Sequence, residues 1–65
     1  RLGWVEEGLE GLAEVDPQAA TIVHMRFFGG FSVHETARAL GISDSTVLRH
    51  WRFAREWLRR EFWEP

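Results

Sequence analysis

Arginine carries what chemistry this chain offers. All eight basic residues are Arg and none is Lys, and Arg49, Arg52, Arg55, Arg59 and Arg60 crowd the last stretch of the sequence. A guanidinium presents a planar fork of N–H donors that matches a phosphate, or the edge of a guanine, bidentately; an ammonium cannot do this. Just ahead of that run stand Ser43, Asp44, Ser45 and Thr46, small polar residues that suit the opening turn of a helix and can donate to phosphate or base. Arg49 is the best candidate for reading a base edge, while Arg52, Arg55, Arg59 and Arg60 suit phosphates or solvent. The pattern points to double-stranded nucleic acid.

Other chemistries find little support. His24, His34 and His50 include no i, i+4 pair that would put two ligands on one helical face, and there is no Cys, so no metal site and no cofactor are expected. Ser, His and Asp occur without a nucleophile elbow or a base with its orienting partner, and so small a domain has no obvious substrate pocket. Catalysis is not expected.

The elements that must position the arginines follow from helical periodicity, since no strand-like alternation is sustained anywhere. Leu2, Val5, Leu9 and Leu12 recur at spacings of three and four, with Glu6, Glu7, Glu10 and Glu14 elsewhere on the surface, although Gly3, Gly8 and Gly11 weaken this first helix. Asp16 and Pro17 start a second helix as cap and first residue. Its apolar face runs through Ala20, Val23, Phe27 and Phe28 to Gly29 and Gly30. Ser32 with Glu35 forms the capping-box pattern of a third helix, which stops at Gly41, the residue best able to take a left-handed turn. Ser43 caps the fourth, whose inward positions are Val47, Trp51, Ala54, Leu58 and Phe62.

Residues 32–41 and 43 to about 62 therefore read as a helix-turn-helix: a supporting helix and turn, then a recognition helix. Ala37 sits where the two helices cross and Gly41 makes the turn. Leu40, Ile42, Val47 and Trp51 fill the wedge between them. At 3.6 residues per turn, Ser45, Arg49, Arg52, Phe53 and Glu56 fall opposite Val47, Trp51 and Leu58, with Thr46 at the edge. Ordinary helical packing can produce the same geometry, and arginines on a long exposed helix often form only a solvated face.

A chain of 65 residues has room for one domain, taken as 1–65, and must bury a large share of its apolar surface to fold. Its 45% hydrophobic and 14% aromatic residues are far from a disordered composition. No apolar run is long enough to span a bilayer and no leader is recognisable, so a soluble cytoplasmic protein without a membrane partner is expected. The sequence opens at Arg1 inside helix-like sequence, which suggests a piece of a longer chain. The formal net charge of −2 runs against a nucleic-acid partner, yet the acids gather in the first part and the arginines in the last.

The stretch from Asp16-Pro17 through Ile22-Val23-His24-Met25-Arg26-Phe27-Phe28-Gly29-Gly30-Phe31-Ser32-Val33-His34-Glu35-Thr36-Ala37, Leu40-Gly41-Ile42-Ser43 and Thr46-Val47 to Arg49 and Trp51-Arg52-Phe53-Ala54-Arg55 resembles region four of sigma-70-type RNA polymerase sigma factors. The likeness is closest to the extracytoplasmic-function (ECF) group. It implies an all-α, four-helix domain with a winged-helix-like helix-turn-helix, which binds the minus-35 element of double-stranded promoter DNA and docks on the beta flap of RNA polymerase. An anti-sigma factor is a further expected partner. Carried onto this sequence, the resemblance makes Ser45, Thr46, Arg49, His50, Arg52 and Arg55 the DNA-side positions, with Arg26 and Glu35 as supports. Leu48 stands where many relatives have Lys, so the isolated domain is expected to bind weakly. Two alternatives remain: the output domain of a LuxR-type response regulator, and a module acting chiefly through contacts with polymerase or an anti-sigma factor. Trp4, Phe31, Trp57 and Trp63 exceed what the core demands and could form a patch for such a partner or for a second copy of the chain.

Overall fold

A computed structural model describes residues 2–63. Four α-helices follow one another among them, and no strand: α1 (Leu2–Val15), α2 (Pro17–Val23), α3 (Val33–Leu40) and α4 (Asp44–Leu58). The all-α, four-helix architecture read from the sequence is the one observed. Wider π-helical turns extend α2 over His24–Phe28 and α4 over Arg59–Trp63.

Local chemistry sets the helix limits. Asp16 is extended and its carboxylate accepts the amide of Ala19 at 3.1 Å, with Pro17 behind it. Ser32 and Glu35 form a complete capping box, the Ser32 hydroxyl accepting the Glu35 amide and the Glu35 carboxylate accepting that of Ser32. Gly41 ends α3 with a φ of 71°, a left-handed conformation that would cost a residue with a Cβ about 1–2 kcal/mol. Two residues later the Ser43 hydroxyl caps α4 by accepting the Thr46 amide at 3.1 Å.

Two adjoining clusters form the interior. Leu9, Leu12, Ala19, Ala20, Val23, Ala54 and Leu58 join α1, α2 and α4. Ile22, Ala37 and Val47, with Val33, Leu40 and Ile42 at their edge, join α2, α3 and α4. Trp51 packs against both, so it ties the helix-turn-helix to the first helix pair. Ala37 is 2% exposed, in keeping with its place at the helix crossing.

Three expected core positions are instead at the surface: Phe27, Phe28 and Phe62 are 59%, 58% and 39% exposed. The cause lies in the π turns. After Val23 the hydrogen bonding widens, and the Gly29 amide reaches the His24 carbonyl five residues back at 3.0 Å. A wider turn rotates each later side chain behind its α-helical position, so Phe27 swings out of line with Ala20 and Val23 and lies edge-on against Trp51. Phe62 sits in the second π turn and packs beside Trp57. His24 and His34 are also exposed. Leu2 and Val5, together with Trp4 and Trp63, lie outside the side chains the structure describes.

Candidate nucleic-acid interface

The turn between α2 and α3 decides how the helix-turn-helix is held. The Arg26 Nη1 donates to the Phe31 carbonyl at 2.9 Å, and its guanidinium lies 5.2 Å from the centre of the Trp51 ring. One side chain thus clamps the loop and stacks on α4, which uses both the fork and the flat face of Arg. Its Nε is buried without a partner. Gly29 and Gly30 are needed for different reasons. A Cβ on Gly29 would stand 2.9 Å from the Met25 carbonyl oxygen, while Gly30 has open space around it but a φ of 71°. The Phe31 amide closes the loop onto Met25 at 3.0 Å.

On α4 the buried side is Val47, Ala54 and Leu58, each at most 1% exposed. Ser45, Arg49, Arg52, Phe53 and Glu56 are exposed, and Thr46 is half-buried at the edge, as the projection at 3.6 residues per turn requires. Three hydroxyls meet at the start of the helix. Ser43 lies 3.2 Å from the Ser45 hydroxyl and donates to that of Thr46 at 2.9 Å, which leaves the Thr46 proton directed onward. Free amides at this end favour an anion, although Asp44 beside them brings a like charge. Asp44 is met by His34 at 3.4 Å, both largely exposed, so that contact contributes little.

The remaining two expected DNA-side residues lie elsewhere. Arg55 is exposed but lines a crevice of about 200 Å³ with Val23, Phe27, Trp51 and Leu58, on the flank of α4 rather than on the Arg49–Arg52 side. His50 points the other way, inward. Its Nδ1 stands 3.1 Å from Oδ2 of Asp16, and the two side chains are only 20% and 27% exposed. Position 50 falls between the buried and outward sides of α4, so a partner on the neighbouring corner can turn it away from solvent. The role of Asp16 as that partner was not apparent from its sequence position, where only its capping chemistry is visible. Arg59 pairs with Glu56 one turn back on the exposed side.

Residues 2–64 match the family model of ECF sigma factors. The chain belongs to the ECF sigma-factor family. Its four helices fit region four of such a factor, and the response-regulator alternative is set aside. No curated protein and no solved structure matches the chain. Members of this family are bacterial transcription factors, not enzymes; they act in transcription initiation with RNA polymerase and promoter DNA. Among the described residues of this sigma factor no cluster of potential ligands could hold a metal ion, and no helix is long and apolar enough to cross a membrane.

Proposed function

We propose that this domain reads the minus-35 element of promoter duplexes through α4, as the carboxy-terminal domain of an ECF sigma factor acting with RNA polymerase in the cytoplasm. The observation that carries the reading is the division of α4 into a buried side of Val47, Ala54 and Leu58 and an exposed side bearing Ser45, Arg49 and Arg52. Major-groove recognition needs such a helix, free on one side and begun by small polar residues. Arg49 is assigned to a base edge and Arg52 to phosphate. Binding of labelled minus-35 duplexes tests this. Arg49→Ala is expected to lose about 1–3 kcal/mol and to relax sequence preference. Arg52→Ala should weaken all duplexes alike and lower the salt slope by about one. Affinity unaffected by both substitutions would sink the reading.

A protein contact is supported by a separate observation. Phe27 and Phe28 are more than half exposed, beside the crevice of Val23, Phe27, Trp51, Arg55 and Leu58. Exposed aromatics around an apolar cleft mark protein-interaction surfaces in monomers. The beta flap of RNA polymerase, or an anti-sigma factor competing for it, is the assigned occupant. Capture by purified beta flap should persist in Arg49→Ala and fall in Phe27→Ser; the reverse pattern would contradict the assignment.

A further inference from the structure

Asp16 and His50 are 34 positions apart in the chain yet meet across the domain at 3.1 Å. Asp16 is firmly held. Its amide donates to the Leu12 carbonyl at 2.7 Å, its carbonyl accepts from Ala20 at 3.1 Å, and its Oδ1 caps α2 through the Ala19 amide. It is therefore fixed to both α1 and α2 while its second carboxylate oxygen reaches α4. An ionised carboxylate only accepts, so His50 Nδ1 is the donor. His50 itself adjoins Arg49 and lies two residues before Arg52.

We propose that His50 is a positioning residue: its bond to Asp16 fixes the rotation of α4 on the α1–α2 pair, and with it the direction of Arg49 and Arg52. The inference rests on the reading of α4 as the DNA-facing helix. The need for such a tie comes from the packing. The first helix pair meets Ala54 and Leu58 of α4 with Leu9, Leu12, Ala19 and Ala20, an apolar contact, and apolar contact is non-directional. A hydrogen bond is directional, and at 20% exposure it is less weakened by water than one at the open surface. Recognition side chains must be held to within about 10–20°, which is the constraint this bond supplies. The His50 expected to meet DNA then acts from behind the helix.

Anisotropy titrations of the full chain with a minus-35 duplex test the tie. Asp16→Ser keeps the cap, because Ser caps about as well as Asp, but it lacks the second oxygen that meets His50. Asp16→Ser and His50→Ala are each expected to weaken binding about fivefold, the scale of one hydrogen bond. The double variant should be no weaker than the worse single one. Any fall in the salt slope should be the same in both single variants, since each lets Arg52 turn from its phosphate by the same rotation. His50→Asn, which keeps a donor near the place of Nδ1, should restore most of the affinity. Additive losses, or a His50→Ala loss accompanied by a smaller salt slope while Asp16→Ser binds normally, would overturn the proposal in favour of direct contact. Arg49→Ala and Arg52→Ala separate the two levels: if both leave binding intact, the reading of α4 has failed. In that event amide exchange along residues 47–54 decides the tie. Faster exchange in both Asp16→Ser and His50→Ala upholds it, and unchanged protection rejects it.

Discussion

Thr36 presents a hydroxyl to an interior that gives it no partner. The residue is fully buried, and its Oγ1 makes no hydrogen bond. An unpaired buried hydroxyl costs about 1–3 kcal/mol relative to its hydration in the unfolded chain. Thr36→Val replaces it with a methyl group of similar size, so the substitution should stabilise the domain by about 1 kcal/mol. The urea midpoint should rise with an unchanged m-value; a lower midpoint would show that the hydroxyl has a partner after all. Nothing in the sequence singles out Thr36, since whether a hydroxyl is satisfied depends on which atoms surround it. Arg26 is an intermediate case. Its place among the supports was legible from the family pattern, whereas the bond to Phe31 and the stacking on Trp51 depend on how the loop folds back.

Helix limits were largely legible because capping is local. Asp16, the Ser32 and Glu35 pair, Gly41 and Ser43 each act within a few residues of where they stand, and each appears at its expected terminus. The π turns were not legible. They move Phe27, Phe28 and Phe62 outward, and no spacing rule announces them. The glycines of α1 also gain a second meaning from packing. A Cβ on Gly8 would lie 3.0 Å from Cδ2 of Leu58, and one on Gly11 would lie 3.1 Å from Cη2 of Trp57. Ala in place of Gly favours the helix by about 0.5–1 kcal/mol. Leu58 is 1% exposed and cannot yield, so Gly8→Ala should destabilise by about 1 kcal/mol net, overpacking outweighing propensity. Trp57 is half-buried and can swing aside, so Gly11→Ala should stabilise by a few tenths of a kcal/mol. Thermal melts should therefore move in opposite directions. A rise in both would mean that α1 does not press on α4 at Gly8.

Across the whole molecule, charge was the part of the candidate site most legible in the sequence and the rotation of α4 the least. The spacing of Val47, Ala54 and Leu58 was enough to put Arg49 and Arg52 outside, but a flank position such as His50 goes wherever a neighbour attracts it, and Asp16 arrives from a distant segment. The formal charge of −2 conceals two opposed fields: exposed Glu6, Glu7 and Glu10 on α1, and the arginines of α4. Distant carboxylates repel a duplex whatever its sequence, and they do so mainly during approach. Replacing all three by Gln, which suits a helix about as well as Glu, should raise affinity for minus-35 and scrambled duplexes by the same factor of several. The change should appear in the association rate and fade as salt shortens the screening length to about 8 Å. The specificity ratio should not move, because these residues touch no base, whereas the salt slope should steepen, because the gain is confined to low salt. Measured association rates on both duplexes at two salt concentrations decide the matter. A shift in the ratio would place α1 against the DNA and require a different docking of the domain.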